Sequence, residues 1–300
     1  MYATACAARS EQLTTFITAR PQRPHLDDDM AAPVETQTWH YGLVARWWAE
    51  FNVAQPHEIA YYREAIGRFG EPAVDLGCGT GRYVVPLSAE GLDVDGVDVS
   101  ADMIALARAQ AEKASATPRL YVQPLHQLEL ERRYRTMYMC GVFGIGGRRD
   151  RDLEALRRMH HHLEPGGALL NVHWLPYSGR NDVEGWAEWL PGHRPTYPQP
   201  WPSDGNRKRC ADGDEIELIN RTAAFDPLEQ VEMLEMRARL WHDGTVVREE
   251  TYGLRSCVYF AQEVILMLTD AGFREVAIEG AYTGRPATPE DGTVLFVARK

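Results

Sequence analysis

Short apolar segments alternate with amphipathic stretches through the middle of the chain. Strands are predicted at residues 73–76, 94–99, 120–124, 136–142 and 168–173. Helices are predicted between them at residues 82–89, 101–113 and 153–163, the last followed by the turn Glu164-Pro165-Gly166-Gly167. Strands that alternate with helices indicate a mostly parallel sheet with helices on both faces, an α/β fold.

The pattern changes after Trp174. Residues 176–214 are rich in proline, glycine and tryptophan and predict an irregular connection, followed by a strand at residues 216–225. Apolar and polar residues then alternate from Leu234 to Leu240, which is typical of a strand. Asp243-Gly244 predicts a two-residue hairpin turn, which would place Leu240 opposite Val247. We therefore expect an antiparallel insert, then a helix at residues 261–271 and strands at 276–279 and 293–298.

Composition limits the classes of function. Of 300 residues, 44% are hydrophobic, and the net charge of −11 argues against a general nucleic-acid binder, since phosphates would be repelled. No apolar run approaches the ~20 residues of a membrane span. The five cysteines form no CxxC pair and no metal-ligand spacing, which favours reduced thiols in a cytoplasm and no metal. Residues 1–37 predict a disordered leader, and both Met1 and Met30 fit as the start.

A glycine loop between the first strand and its helix carries the candidate chemistry. Its sequence, Gly77-Cys78-Gly79-Thr80-Gly81, allows backbone to approach a ligand, and a helix N-terminus adds N–H donors. A dinucleotide fingerprint needs glycine at the sixth position, where this chain has Arg82. Asp98 ends the second strand, and its two oxygens can accept both hydroxyls of a ribose. The other interpretation of Asp98 is a helix N-cap, for which Ser100 and Asp102 compete.

The runs Val74-Asp75-Leu76-Gly77-Cys78-Gly79-Thr80-Gly81-Arg82 and Gly96-Val97-Asp98-Val99-Ser100, with Met103, closely resemble the class I S-adenosylmethionine-dependent methyltransferases. The turn at residues 163–167 is also similar to theirs, and the resemblance covers roughly residues 58–173 and 259–300. It implies a Rossmann-like sheet of seven strands whose last strand is antiparallel. It also implies S-adenosylmethionine as cofactor, S-adenosylhomocysteine as product, and a small-molecule acceptor such as a natural-product intermediate.

The resemblance also implies roles for single residues. Gly77, Gly79 and Gly81 would lie against the methionine part of the cofactor, Asp98 would hold the ribose, and Val99 and Met103 would flank the adenine. Asp75 would orient the loop and the amino end of the cofactor. Many members of the family carry an acid after the third strand, where this chain has Gln123-Pro124-Leu125-His126, so Leu125 and His126 are expected to replace it. Cys78 and Cys140 complete the predicted cofactor-binding set.

Methyl transfer needs mainly an acceptor atom held in line with the methyl–sulfur bond, and a hydroxyl acceptor also needs a base. His173, at the end of the fifth strand, is the candidate base, although a histidine bonded to backbone is an equal alternative. We expect residues 38–175 to form the early lid helices and the cofactor-binding core, and residues 176–255 to form the connection and the insert that make the substrate lid. Residues 256–300 are expected to complete the core sheet. The candidate acceptor-binding residues are Tyr41, Trp48, Tyr62, Trp174, Tyr252 and Arg255, with Trp186, Trp189 and Trp201 able to reach over the site.

Three functions remain open from the sequence, and methylation of a protein is a further alternative to the first. The first is transfer of a methyl group to nitrogen or oxygen of a small molecule, by a monomer or homodimer without nucleic-acid or membrane partners. The second is a nicotinamide-dependent oxidoreductase, which the glycine spacing disfavours. The third is a non-catalytic scaffold or sensor that binds S-adenosylmethionine. A wide pocket beside the sulfonium would favour the enzyme, and a pocket filled by side chains would favour the scaffold.

Overall fold

The computed structural model describes residues 38–178 and 186–300. The predicted leader, residues 1–37, and residues 179–185 of the connection lie outside them. The helices are α1 (Gly42–Phe51), α2 (Pro56–Phe69), α3 (Val84–Ala89), α4 (Ala101–Lys113), α5 (Arg149–His162) and α6 (Ala261–Asp270). The strands are β1 (Ala73–Leu76), β2 (Val94–Asp98), β3 (Leu120–Val122), β4 (Tyr134–Cys140), β5 (Leu163–Trp174), β6 (Asn206–Arg209), β7 (Glu215–Asp226), β8 (Val231–His242), β9 (Thr245–Cys257), β10 (Glu275–Gly280) and β11 (Thr293–Arg299). No helix in the described ranges is long and apolar enough to cross a membrane.

The larger sheet has seven strands in the order β10-β11-β5-β4-β1-β2-β3. β1 runs parallel to both β2 and β4, so the carboxyl ends of these strands meet at one edge. β11 pairs antiparallel with both β5 and β10. The predicted α/β fold, with its antiparallel last strand, is confirmed.

Helices cover both faces of this sheet. On one face, Ile66 of α2, Leu87 of α3 and Ile104 of α4 pack in a fully buried cluster. On the other face, Met159 of α5 and Leu268 of α6 belong to a second cluster. Two-sided burial explains why the strands are apolar runs rather than alternating segments. It also leaves the carboxyl edge of the strands as the place where polar side chains can gather.

The insert forms a second, four-stranded sheet in the order β6-β7-β8-β9. Its hairpin turn joins His242 to Thr245, as predicted. The expectation that Leu240 faces Val247 is wrong, because a bulge after Leu240 places Arg248 opposite it. The connection before β7 is also more regular than predicted, since it contains β6.

Helix α1 packs on the insert sheet. Leu43 and Val44 of the helix join Ile216, Leu218 and Met236 of the strands in a third buried cluster. The hydroxyl of Tyr252 donates to Glu250, and the Glu250 carboxylate accepts the Leu43 amide at the start of α1. The first helix and the insert are therefore held together by both apolar and polar contacts.

Several predicted boundaries differ from the observed ones, among them those of α5, β5 and β4. α5 begins at Arg149 rather than at residue 153, because its first turn is polar and carries Asp150 and Asp152, which favour a helix N-terminus. β5 begins at Leu163, so the predicted turn at residues 164–167 lies inside an irregular strand. β4 ends at Cys140, because Gly141 takes a φ of +61° and turns the chain.

Candidate functional site

The glycine loop follows β1 and is held against β2. The amides of Gly77 and Cys78 both donate to the Val97 carbonyl, at 2.7 and 2.9 Å. Gly77 has a φ of +73°, and a Cβ built on it would overlap the side chain of Val142. Only glycine satisfies both the backbone conformation and this close approach. By contrast, nothing lies within 4 Å of a Cβ built on Gly79, so backbone there faces open space.

Asp98 lies beside this loop at the end of β2. Its Oδ2 accepts the Gly79 amide and its Oδ1 accepts the Ser100 amide, both at 2.8 Å. Its carboxylate is nearly buried, which raises its pKa, while backbone amides that donate to it oppose the rise. Each oxygen keeps a lone pair for a further donor. Ser100, rather than Asp98, caps helix α4, since its Oγ accepts the Met103 amide.

Asp75 lies beneath the loop and is 2% exposed. Its Oδ2 has no hydrogen-bond partner among the described residues. Burial raises the pKa of Asp75 to about 8, the nearby Asp98 adds to the rise, and Arg82 opposes it. A buried carboxylate oxygen without a partner is costly unless a cation or donor reaches it. Asp75 therefore fits a cationic group bound at the loop.

A cavity of about 350 Å³ opens at this edge of the sheet, within the size range of small-ligand sites. Most of the predicted cofactor positions line it: Gly77, Cys78, Gly79, Asp98, Val99, Met103, Leu125, His126 and Cys140. Asp75 and Gly81 do not. Gly81 instead serves helix packing, since a Cβ on it would lie 2.7 Å from Val85 Cγ2. The open glycine backbone, the ribose-type acid and the unpartnered Asp75 oxygen together fit an adenosyl amino-acid cofactor.

The far end of the cavity is bordered by what we call the glycine bend, residues 141–147. This segment follows β4 and is pinned to β9 by hydrogen bonds from Gly146 N to Arg255 O (2.6 Å) and from Cys257 N to Gly144 O (2.8 Å). Asp152, in the first turn of α5, lies in the same wall. A Cβ built on Gly147 would overlap its Oδ1. The bend therefore brings bare backbone up to a carboxylate.

Asp152 is 8% exposed, and the Tyr259 hydroxyl donates to its Oδ2 at 2.5 Å. Burial raises the pKa of Asp152 to about 6, whereas the Tyr259 hydrogen bond and the guanidinium groups of Arg255 and Arg149 act to lower it. The carboxylate is thus ionised above about pH 6 but only partly compensated by its neighbours.

A short segment before α1 also lines the cavity. His40 lines the cavity, its carbonyl accepts the Ser100 hydroxyl at 2.5 Å, and the Gly42 amide donates to Asp102 at 2.8 Å. Burial lowers the pKa of His40 to about 4, so its ring is neutral near pH 7. The segment is thereby attached to the start of α4, next to Asp98.

Two of the six predicted acceptor-binding residues line the cavity, and four do not. Trp48 and Trp174 line the cavity, and Trp174 packs over Gly141. The other four do not: Tyr41 is the N-cap residue of α1, Tyr62 is fully buried and stacked on Tyr138, Tyr252 hydrogen-bonds Glu250, and Arg255 donates to the Gly147 carbonyl.

The tryptophans of the connection also lie elsewhere. Trp201 is sandwiched between the guanidinium groups of Arg221 and Arg237, at 4.4 and 4.2 Å from its ring centre. Trp186 contacts Trp189, which packs against Phe225 and Phe260. These aromatic side chains build the insert rather than the described cavity wall.

The structure places His173, the predicted base, away from the described cavity wall. Its side chain is buried, its Nε2 lies 2.9 Å from the Tyr259 carbonyl, and it is not part of the described cavity wall. Burial also lowers its pKa. Because a carbonyl oxygen only accepts, Nε2 of His173 carries the hydrogen and donates it to the Tyr259 carbonyl. His173 therefore matches the alternative interpretation, a histidine bonded to backbone.

The sequence analysis missed several residues that line the cavity. Arg82 had been used only to exclude a dinucleotide fingerprint, yet it lines the wall and its Nη2 lies 3.1 Å from Cys140 Sγ. His40 and Asp152 gave no signal of their own. The density of glycine in Gly141-Val142-Phe143-Gly144-Ile145-Gly146-Gly147, directly after a strand, was a signal that could have been used.

Comparison with known proteins agrees with this geometry. Residues 73–167 match the family model described as "Methyltransferase domain". A ubiquinone biosynthesis O-methyltransferase of Pectobacterium atrosepticum is 31% identical over 103 residues, which cover 32% of this chain and 40% of that protein. The chain thus spans less than half the length of the curated relatives it matches.

Solved structures show the same fold over most of the chain. An S-adenosylmethionine-dependent methyltransferase from Clostridium acetobutylicum has a TM-score of 0.64 at 13% identity, covering 85% of this chain and 96% of that one. The sugar N-methyltransferase KedS8 from Streptoalloteichus has a TM-score of 0.60 at 20% identity, covering 90% and 96%. Residues 73–167 are therefore a methyltransferase domain of the class I S-adenosylmethionine-dependent family. The cofactor predicted from the motifs is the cofactor of that family.

Proposed function

We propose that the protein is a methyltransferase that transfers a methyl group from S-adenosylmethionine to nitrogen or oxygen of a small molecule, such as a natural-product intermediate. The observation that carries this proposal is the pairing of the Asp98 carboxylate with the Gly79 amide in the wall of the cavity. This hydrogen bond holds the carboxylate next to the glycine loop. Carboxylate oxygens that can accept ribose hydroxyls and loop amides that can donate to the ligand then lie side by side.

The described residues divide the work of binding. Asp98 would accept the ribose hydroxyls, Val99 and Met103 would flank the adenine, and the open backbone at Gly79 would receive the amino-acid part. Asp75 would face the ammonium group. When bound, the cofactor supplies an electrophilic methyl group on a positively charged sulfur. The role of the chain is then to exclude water and hold the acceptor in line, which can supply most of the rate.

The room beyond the predicted cofactor positions supports an enzyme over a scaffold. The cavity continues past Cys140 along the glycine bend to Asp152, and Trp48 and Trp174 form aromatic walls. Helix α1 and the insert pack on each other, which supports residues 176–255 as a substrate lid. We also propose a cytoplasmic protein, monomeric or homodimeric, in line with the free cysteines among the described residues.

Calorimetric titration with S-adenosylmethionine and S-adenosylhomocysteine tests this proposal. We expect micromolar binding by the wild type and a roughly 10- to 100-fold loss in Asp98→Asn, because hydrogen bonds to a charged group contribute about 1.5–3 kcal/mol. Asp243→Asn, in the exposed hairpin turn, is the matched control and should bind like the wild type.

Two outcomes would contradict the proposal. Absence of binding at millimolar concentrations would remove the cofactor assignment, and a parallel titration with NADH that saturates would replace it with the oxidoreductase. Unchanged affinity in Asp98→Asn would remove the ribose role of Asp98.

A further inference from the structure

We propose that Asp152 is the acceptor-binding carboxylate of this site and that the acceptor presents an amine to it. This inference rests on the proposed methyltransferase function and adds the class of substrate. Asp152 is not part of the cofactor motifs. It lies on helix α5, which follows β4.

The position of Asp152 separates it from the cofactor side of the cavity. Asp98 ends β2, Val99 comes directly after it and Leu125 follows β3, whereas Asp152 follows β4. In the sheet, β4 lies between β1 and β5, on the opposite side of β1 from β2 and β3. A cofactor bound over β1, β2 and β3 therefore leaves the part of the cavity at the glycine bend and Asp152 for the acceptor.

The glycine bend packs closely against the carboxylate in this part of the cavity. Any side chain at position 147 would overlap Oδ1 of Asp152, so only glycine lets the backbone approach that oxygen while Asp152 lines the cavity. The bend does not depend on a ligand for its shape, because Gly144 and Gly146 are hydrogen-bonded to β9. The other oxygen, Oδ2, is fixed by the Tyr259 hydroxyl. The carboxylate is thus oriented before the acceptor binds.

The burial of the Asp152 carboxylate favours an amine over a neutral alcohol, although Arg82 and Arg151 also line the cavity. Asp152 is nine-tenths buried, and burial outweighs the lowering effect of its hydrogen bonds and of Arg255 and Arg149 on its pKa. A buried carboxylate that remains undercompensated is stabilised by a cation and much less by a neutral donor. The ring of Trp174, which packs over Gly141 at the start of the glycine bend, also suits a cation.

The transfer balances with Asp152 as the proton acceptor. The bound ammonium group gives one proton to the Asp152 carboxylate, and the freed nitrogen lone pair forms a bond to the methyl carbon. The carbon–sulfur bond breaks, and its electron pair remains on the sulfur as a thioether. The methylated amine leaves as its ammonium ion, and protonated Asp152 returns its proton to water.

A binding experiment tests the inference without turnover. The protein saturated with S-adenosylhomocysteine is titrated calorimetrically with benzylamine and with benzyl alcohol, which share a ring and a methylene and differ in charge. We expect benzylamine to bind wild type at least about tenfold more tightly, equal to about 1.4 kcal/mol. Asp152→Asn should abolish that preference while its affinity for S-adenosylhomocysteine stays within about threefold.

Two further variants make the result decisive. Asp150→Asn, on the same helical turn but exposed, should behave as wild type in both titrations. Tyr259→Phe keeps the carboxylate but removes the hydroxyl that orients it, so it should reduce the preference for benzylamine and leave S-adenosylhomocysteine affinity unchanged; it tests the role of Asp152 if Asp152→Asn does not fold.

Three results would overturn the inference. They are equal binding of the two probes by wild type, a preference for benzylamine that survives in Asp152→Asn, and a loss of S-adenosylhomocysteine affinity in Asp152→Asn as large as the loss of benzylamine. The last result would mean that Asp152 binds the cofactor rather than the acceptor. Failure of the proposed function itself is distinguishable, since wild type would then not bind S-adenosylhomocysteine at all.

Discussion

The buried Asp75 makes the stability of the ligand-free protein depend on pH in a specific direction. Its folded pKa of about 8 lies above the ordinary value of 3.8, because burial disfavours the charged form. For an acid with a raised pKa, the folded state binds more protons than the unfolded state. The free energy of unfolding therefore falls as pH rises from about 4 to about 8 and is constant above that.

The size of this effect follows from the two pKa values. Each pH unit between them changes the free energy of unfolding by about 1.4 kcal/mol, so the full cost reaches about 6 kcal/mol above pH 8. Asp75→Asn removes the titrating group but buries an amide, at a pH-independent cost of about 1–3 kcal/mol. We expect the variant to be less stable than wild type near pH 4 and more stable near pH 8.

Urea unfolding of the ligand-free proteins, followed by tryptophan fluorescence between pH 4 and pH 9, measures the difference. Subtracting the two curves isolates Asp75 from other titrating groups, and Asp243→Asn, in an exposed turn, should show no such difference. A wild-type-minus-variant curve that changes by less than about 1 kcal/mol over this range would refute the reasoning.

The raised pKa of Asp75 also predicts that ligand binding releases a proton, which calorimetry can detect. If the ammonium group of S-adenosylhomocysteine lies beside Asp75, the carboxyl ionises on binding and releases a proton at pH 7. Binding enthalpies measured in phosphate and in Tris should then differ for wild type and agree for Asp75→Asn. Equal enthalpies for wild type would mean that the ammonium lies elsewhere.

Two other substitutions separate structural from functional roles. His173→Gln, which keeps a donor toward the Tyr259 carbonyl, should leave S-adenosylhomocysteine affinity within about twofold by calorimetry, and a large loss would return His173 to the site. Gly77→Ala should abolish binding and lower the free energy of unfolding by about 1–3 kcal/mol, because a Cβ overlaps Val142. Gly91→Ala is the control, because Gly91 also has a positive φ but a Cβ there meets open space. It should lower the free energy of unfolding by about 1 kcal/mol and leave S-adenosylhomocysteine binding unchanged. Equal losses of binding in Gly77→Ala and Gly91→Ala would refute the steric argument.

Local patterns were sufficient for the sheet and for the cofactor side of the site. Apolar runs such as Ala73–Leu76 mark strands buried on both faces, and the glycine loop and Asp98 are close in sequence and joined by one strand. Where the prediction failed, the structure is determined by contacts between segments that are distant in sequence. The bulge that moves Arg248 opposite Leu240 comes from strand twist and pairing, which no alternation of residues reveals. The start of α5 was missed because its polar first turn carries no apolar period.

The rest of the cavity wall could not be predicted for a related reason. Its parts come from segments far apart in sequence: the segment before α1 carries His40, the glycine bend follows β4, and the strand that pins the bend is β9. Their proximity depends on packing of α1 on the insert and of the bend on β9, so neither His40 nor Asp152 has a sequence signature. The cofactor loop of this chain is one contiguous motif, whereas the rest of the wall is assembled from separate segments, so the substrate class must be argued from the assembled side chains. Here that argument depends on one buried carboxylate, Asp152, because it is the acid in the described wall that lies beyond the cofactor motif.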